Sequence, residues 1–219
     1  IGIKNGIIQE VSTKHLNSEY ANHVDLSDKF IMPGLIDSHV HLRYGPKPDP
    51  SDLPDDYQSI RAAENMKSAL RSGFTTLVDA GGIRNMTFSL RRAQRDNIFE
   101  GPRLFVCGEM ITITGGRSSL PGIRLYEVDG VDSTRRAVRT LLLRHDADFI
   151  KLAVTGAISA AHTGPRHPQM NLDEIMAATD EAHSCGKKVH AHCYGSKGLD
   201  NCFKAGVDEE IPGRLFPQD

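Results

Sequence analysis

The apolar residues of the chain fall into short continuous runs that alternate with longer stretches of helical periodicity. Runs typical of buried strands lie at 35–42, 75–80, 103–107, 148–154 and 188–193. Amphipathic patterns between them predict helices at 56–71, 85–96, 133–145 and 172–184. Two of these helices are followed by Gly73 and Gly186, and Asn171 precedes the last one as an N-cap. Apolar strands that alternate with helices predict a parallel sheet covered by helices.

The first 32 residues have a different pattern. Ile3-Lys4-Asn5-Gly6-Ile7-Ile8 places an Asn-Gly pair between apolar residues and predicts a β-hairpin. A second strand is predicted at 22–26, and Met32-Pro33-Gly34 separates this region from the rest of the chain. We therefore expect a small β domain at residues 1–32 and an α/β domain at residues 33–219.

The spacing of the predicted strands leaves two architectures open. The strand starts recur on average about every 38 residues, a period at which eight units exceed the roughly 250 residues of a typical barrel. The chain therefore holds five βα units and the start of a sixth at 207–211. This number fits either an open α/β sheet or an incomplete barrel. Because the chain opens at Ile1 without a methionine, we expect a fragment of a longer protein.

Composition and charge argue against several classes of protein. The 26 basic and 28 acidic side chains give a net charge of −2, without the basic surface that nucleic acid or an anionic membrane requires. No uncharged apolar run approaches the roughly 20 residues of a membrane span. The four cysteines lack CxxC spacing, which is typical of a reducing compartment, so we expect a cytoplasmic protein. The sequence allows a homo-oligomer but does not predict one.

Two histidines on the first apolar strand suggest a metal site. Residues two apart on a strand point to the same face, so His39 and His41 present neighbouring imidazoles. Two imidazoles at a strand end suit a transition metal. Taken alone, such a pair is more often an ordinary polar strand end. The residues that precede the pair make a metal site the favoured interpretation.

Met32-Pro33-Gly34-Leu35-Ile36-Asp37-Ser38-His39-Val40-His41 resembles the opening signature of the metal-dependent amidohydrolase superfamily. The resemblance covers essentially the whole chain and is closest to the branch of imidazolonepropionases and Xaa-Pro dipeptidases. It implies an α/β fold, a (β/α)8 TIM barrel that is incomplete here at five to six βα units. Residues 1–32 correspond to part of the small N-terminal β-sandwich of that superfamily.

A lysine lies in the middle of the fourth apolar strand, at Lys151. A buried ammonium is costly, and its pKa shifts toward the neutral amine, which can react with CO2 to form a carbamate. The alternative is a surface lysine whose ammonium reaches solvent. The resemblance implies the carbamate, which would bridge two metal ions.

The fifth strand carries a second pair of histidines in Val189-His190-Ala191-His192. The resemblance implies that His192 is a metal ligand and that His190 lies one layer deeper, behind the ligands or in the core. It also places Tyr194 and Arg117 near the substrate, although related chains often have histidine where Arg117 stands. Asp79 after the second strand could orient a ligand or contact substrate, but a helix cap is favoured over that role.

The chain departs from the superfamily pattern at the sixth strand. A metal-binding histidine is expected there before a glycine, but the sequence reads Pro212-Gly213. The strand-8 aspartate that the superfamily uses as general base and metal ligand has no counterpart in these 219 residues. These differences leave the activity of the chain by itself open.

The resemblance implies a hydrolase that cleaves a C–N bond of a dipeptide or similar small amide through a metal-bound hydroxide. Zinc is the expected divalent metal, as one ion or two, held by His39, His41, Lys151 and His192. One alternative is an inactive partial barrel that lacks the strand-6 histidine and strand-8 aspartate. The other is a doubly wound binding domain without metal, which is disfavoured because no GxGxxG or GxxxxGK[ST] loop follows the first strand.

Overall fold

The computed structural model describes residues 1–14, 22–44, 53–116, 125–157 and 164–214. The chain divides into two compact units, residues 1–33 and 34–219. In the part of the chain described, no helix has the length and apolar character needed to cross a membrane.

The smaller unit contains an antiparallel hairpin of β1 (Gly2–Lys4) and β2 (Ile7–Glu10). Asn5 and Gly6 between them have φ values of 53° and 73°, as a type I′ turn requires, and the predicted hairpin is confirmed. The predicted strand at 22–26 is wrong, because these residues are irregular. There the Asp25 carboxylate accepts the backbone N–H of Ser27 at 3.0 Å, a local bond that competes with strand pairing. The assignment of residues 1–32 to a β-sandwich stays a prediction.

The larger unit alternates strands and helices. Its strands are β3 (Leu35–Val40), β4 (Phe74–Asp79), β5 (Arg103–Val106), β6 (Ile111–Ile113), β7 (Tyr126–Val128), β8 (Phe149–Ala153), β9 (Lys188–Tyr194) and β10 (Glu209–Arg214). Its helices are α1 (Asp55–Arg71), α2 (Met86–Arg95), α3 (Val131–Arg139), α4 (Leu172–Ser184) and α5 (Ser196–Ala205), and a π-helical turn at Thr140–Arg144 continues α3. The predicted α/β pattern is confirmed, with strand β10 two residues later than expected. The pattern did not predict β6, β7 or α5.

All strands of the larger unit pair in parallel, in the orders β3-β4-β5 and β10-β9-β8-β6-β7. The two sheets meet where the backbone N–H of Asp148 donates to the carbonyl of Val106 at 2.8 Å. The main strands therefore follow chain order, β3-β4-β5-β8-β9-β10, with β6 and β7 as a small added pair. Among the described residues this order does not close into a ring, and the predicted incomplete barrel is confirmed.

The meeting of the two sheets is fixed by a buried arginine on α2. Arg91 is 6% exposed and donates to the carboxylate of Asp148 and to the carbonyl of Asp146. The same Asp148 carboxylate accepts the backbone N–H of Val106 at 2.8 Å. Side chain and backbone of one aspartate therefore join β5 to the segment that leads into β8. We call this junction of Arg91, Val106 and Asp148 the seam.

The apolar core forms two clusters, each between strands and the helices packed outside them. One cluster joins β3, β4 and β5 to α1 and α2, and includes Leu42, Met66, Leu77, Leu90, Leu104 and Val106. The other joins β8 and β9 to α3, α4 and α5, and includes Val138, Ile150, Leu152, Ile175, Val189 and Cys202. Because successive strand residues alternate between faces, the residues between these positions point to the opposite, inner face of the curved sheet.

The start of α4 confirms the predicted cap at Asn171. Its side chain accepts the backbone N–H of Glu174 at 3.0 Å, and the Glu174 carboxylate accepts the backbone N–H of Asn171 at 2.9 Å. The second carboxylate oxygen of Glu174 accepts the N–H of Gly130 at 2.8 Å, just before α3. One buried carboxylate thus holds the N-termini of two neighbouring helices together.

We predict that Glu174→Ala lowers the free energy of unfolding by about 2–3 kcal/mol, because two N–H groups lose a charged acceptor in a buried setting. Urea unfolding followed by circular dichroism measures this change. The matched control is Glu64→Ala on α1, whose carboxylate is 62% exposed and lies 3.4 Å from Arg71. The control should change stability by less than about 0.5 kcal/mol. Equal effects of the two substitutions would contradict the role of Glu174.

Candidate metal centre

The histidine pair of β3 lies on the inner face of the sheet. Val40 and Leu42 pack toward α1, so His39 and His41 point the other way. Their ring centres are 5.2 Å apart, with the ring planes at 85°. Two imidazoles on one tetrahedral zinc, with Zn–N bonds of about 2.0–2.1 Å, have ring centres roughly 5 Å apart. The pair therefore fits the first two positions of a metal site.

A second group of polar residues lies on the inner face of β8 and β9. Ile150 and Leu152 belong to the helix-facing core, which leaves Lys151 between them on the inner face. Lys151 is 1% exposed and therefore is not a surface lysine whose ammonium reaches solvent. In the register of the two strands Lys151 pairs with His190, and Ala153 pairs with His192. His192 is 7% exposed.

His190 is packed rather than open. Its ring centre lies 4.3 Å from that of Phe149, and its Nδ1 lies 3.2 Å from a carboxylate oxygen of Glu209 on β10. Burial lowers the pKa of His190, an effect that Lys151 reinforces and that Glu209 opposes. This packing favours a neutral imidazole that supports the inner face.

Of the residues predicted near the substrate, one is placed and one is not described. The Tyr194 ring lies 5.0 Å from the ring of His192 in an edge-on arrangement. The backbone N–H of Tyr194 donates to the hydroxyl of Thr155 at 2.9 Å, which fixes the end of β9. Arg117 lies outside the described residues.

Asp79 is not the helix cap that was expected, because α2 begins only at Met86, with Asn85 at its N-cap. The Asp79 carboxylate accepts the backbone N–H of Leu42 at 2.8 Å and that of Gly81 at 3.1 Å. Asp79 is fully buried, and burial raises its pKa to about 6, against the two hydrogen bonds and the charge of Arg43. The reason for the wrong prediction is that one of its N–H donors belongs to the segment just after β3, which the local sequence does not indicate.

The charges of both groups of polar residues affect the pKa of the buried Cys107 thiol. Burial raises the pKa of its thiol well above the usual range, the charge of Asp79 raises it further, and that of Lys151 lowers it. The charges of one residue on β4 and one on β8 therefore both act on this thiol.

Sequence reasoning did not single out Cys107, Glu209 or Gly81. Glu209 could have been found from the strand register, which places it opposite His190. The Gly81 carbonyl lies 3.3 Å from Nδ1 of His41, and the adjacent glycines of the Asp79-Ala80-Gly81-Gly82 loop were the available signal.

The structure thus brings His39 together with His41, and Lys151 together with His190. Within the described ranges, no three His, Cys, Asp or Glu side chains are grouped as ligands for one ion. The assignment of His39, His41, Lys151 and His192 to one metal centre therefore stays a prediction, as do the roles of the neighbouring residues.

Residues 30–214 match the model of the amidohydrolase family. The chain belongs to this family. A solved amidohydrolase is 35% identical to it, with a TM-score of 0.85 over 98% of this chain and 56% of the other. A solved Xaa-Pro dipeptidase with methionine bound in its active site is 33% identical, with a TM-score of 0.72 over 81% of this chain and 47% of the other.

A curated relative, the imidazolonepropionase of Pseudomonas putida, is 26% identical over 77% of this chain and 36% of its own length. These findings confirm the resemblance drawn from the sequence to the amidohydrolases and to the imidazolonepropionase and Xaa-Pro dipeptidase branch. The chain spans about half the length of the two solved relatives and about a third of the curated one.

The pKa of Asp79 predicts a pH dependence of stability. Its folded value of about 6 lies above the usual 3.8, so between these pH values the folded state binds more protons at this site than the unfolded chain. The free energy of unfolding therefore loses a contribution from Asp79 as the pH rises through this window. Asp79→Asn cannot titrate and lacks this loss.

We expect the difference in unfolding free energy, wild type minus Asp79→Asn, to fall between about pH 4 and pH 6.5 and to level off above about pH 7. Urea unfolding of both proteins at matched pH values measures the difference, in which the titration of shared groups cancels. A difference that stays constant across this range would contradict the raised pKa.

Proposed function

We propose that this chain carries the metal-binding part of an amidohydrolase that hydrolyses a C–N bond in a dipeptide or a similar small amide. The observation that carries the proposal is the His39–His41 pair, whose ring spacing suits one ion, on the strand that opens the barrel fold. The family match, which runs from just before β3 to the end of β10, supports it.

We infer that His39, His41, Lys151 and His192 hold a divalent metal, with zinc as the expected ion. By the alternation of strand residues, His39, Lys151 and His192 lie on the inner face of their strands, and His41 continues that face just after β3. Imidazole nitrogens together with the carbamate proposed below for Lys151 suit zinc. When bound, such a metal lowers the pKa of a water molecule and polarises the carbonyl of an amide.

Lys151 contributes through its environment. Its side chain is 1% exposed, and burial in general disfavours an ammonium relative to the neutral amine that attack on CO2 requires. The amine nitrogen would form a bond to the carbon of CO2 as one C=O π bond breaks, and the nitrogen would lose a proton to solvent. The resulting carbamate carries one negative charge shared by its two oxygens. We therefore propose a carboxylated Lys151 as the ligand that joins the β3 side of the centre to the β9 side.

The proposed substrate class rests on a solved relative named as an Xaa-Pro dipeptidase. Two tyrosines of this chain flank the proposed ligands in a manner that suits a small peptide. The Tyr44 ring lies 6.0 Å from that of His41, and the Tyr194 ring lies 5.0 Å from that of His192, both edge-on. Their rings would supply apolar surface beside the proposed metal and would there orient a side chain or a proline ring.

The second candidate is a partial barrel without catalysis of its own. The observation in its favour is the grouping of His39 with His41 only, without a third His, Cys, Asp or Glu ligand among the described residues. Pro212 on β10, where the superfamily has a histidine, points the same way.

Metal and CO2 binding separate the two candidates. We predict that the 219-residue chain, purified in zinc and bicarbonate and then dialysed, retains zinc by plasma mass spectrometry and gives a carbamate signal in 13C NMR with labelled bicarbonate. Lys151→Met should lose the carbamate signal and bind zinc at least about tenfold more weakly. Lys188→Met is the matched control, because Lys188 lies exposed at the start of the neighbouring strand and should change neither result.

A wild-type chain that retains no zinc above the dialysis buffer would overturn the metal centre and favour the inactive partial barrel. Zinc retention with release of proline from an Xaa-Pro dipeptide would support the full proposal. Zinc retention with hydrolysis of other small amides but not of Xaa-Pro dipeptides would keep the metal centre and overturn the substrate class.

A further inference from the structure

A continuous set of hydrogen bonds runs from Asp79 to the ring of His41. One carboxylate oxygen of Asp79 accepts the N–H of Leu42, the residue that directly follows His41, at 2.8 Å. The other oxygen accepts the N–H of Gly81 at 3.1 Å. The carbonyl of Gly81 then lies 3.3 Å from Nδ1 of His41. One buried carboxylate thus holds both the backbone and the ring of this histidine.

The geometry assigns Asp79 as a positioning residue that sets the orientation and the tautomer of His41 through Leu42 and Gly81. A carbonyl only accepts hydrogen bonds, so the His41 nitrogen that faces Gly81 must carry the proton. With Nδ1 protonated, the lone pair of the neutral ring is on Nε2. This inference deepens the proposed function and rests on it for the statement that Nε2 faces a metal.

The backbone around Gly81 supports a dedicated arrangement. Gly81 has φ of 149°, a value that residues with a Cβ rarely adopt, and in this conformation its carbonyl lies 3.3 Å from Nδ1 of His41. The N–H of Ala80 donates to the carbonyl of Val40 at 2.9 Å, which keeps the ends of β3 and β4 in register beside the site. A Cβ on Gly81 would lie 3.5 Å from Cε1 of His41, so the loop and the ring are in direct contact.

The burial of Asp79 argues that a carboxylate is needed here. Asp79 is 0% exposed, and an apolar core position has no reason to keep a charge unless its hydrogen bonds are required. Two N–H groups, on segments 37 and 2 residues away, converge on its two oxygens. An asparagine has the same shape but only one acceptor oxygen, so it must direct an NH2 at one of these donors.

The test reads the His41 tautomer in the metal-free 219-residue chain. Long-range 1H–15N correlation spectra of histidine-labelled protein at about pH 8 distinguish protonated Nδ1 from protonated Nε2, and the His41→Gln variant assigns the signals. We expect the Nδ1-protonated form in the wild type and a mixture, or the Nε2-protonated form, in Asp79→Asn. Zinc Kd, measured by competition with a chelator, should rise about 10–100-fold in Asp79→Asn.

Asp208→Asn is the matched control, because Asp208 also accepts a strand N–H through its carboxylate, from Val189 at 2.8 Å. It should lower stability and leave the His41 tautomer unchanged. A second measurement uses only the wild-type chain, so it does not require the Asp79→Asn variant to fold. In the wild type, a through-hydrogen-bond coupling between the Leu42 nitrogen and the Asp79 carboxylate carbon should be present.

Retention of the wild-type tautomer in Asp79→Asn, or absence of that coupling in the wild type, would overturn the positioning role. A wild-type chain that binds no zinc while its His41 tautomer still depends on Asp79 would keep the positioning role and overturn the proposed metal centre. The two proposals therefore fail by different measurements.

Discussion

The arrangement of the larger unit depends on the seam at which β5 meets the segment before β8. Asp148 uses its backbone N–H and its carboxylate to bond both sides of Val106, and Arg91 neutralises that carboxylate from α2. The two core clusters lie on opposite sides of this junction. The seam therefore determines how the β3–β4 side faces the β8–β9 side, and with it the distance that the proposed metal centre would have to span.

The inner face of the sheet carries more buried polarity than the fold by itself requires. The helix-facing side of β8 and β9 is aliphatic, whereas the inner side holds Lys151, His190 and His192 at 9% exposure or less. Buried polar groups cost stability unless they are bonded or used. Asp79 is another buried polar residue of this kind. Burial raises its pKa to about 6, and its two hydrogen bonds offset that effect only in part. This concentration of buried polar residues makes the inner face the candidate functional face of the sheet.

The sequence allowed the prediction of those parts of the fold that local pattern controls. Apolar runs placed the six main strands, and the cap at Asn171 and the turn at Asn5-Gly6 followed from side-chain chemistry and allowed φ values. Strands β6 and β7 have three residues each, too few for a periodicity to show. Helix α5 was missed because it contains Gly198, which is unfavourable in a helix interior by propensity.

In the candidate site, the residue types were predictable but their partners were not. The inward direction of His39 and His41 followed from a period of two residues along a strand. The bond from Asp79 to Leu42 joins residues 37 apart, and the pairing of His190 with Glu209 depends on the register of two strands. Such contacts are set by the assembled sheet, which no local window of sequence contains.

Pro212 limits which strands can supply ligands to the proposed metal centre. It lies on β10 opposite Cys193, and a proline has no N–H for the ladder, which is tolerated at the edge of a sheet. β10 is the last strand in the observed order. A proline there cannot supply the ligand that the resemblance leads us to expect at this point, so the proposed donors lie at or just after β3 and on β8 and β9. An ion held beside His39 and His41, with Lys151, would therefore have more protein ligands than one held beside His192. For that reason the proposed metal binding would depend more on the orientation of His41 than on the sixth strand.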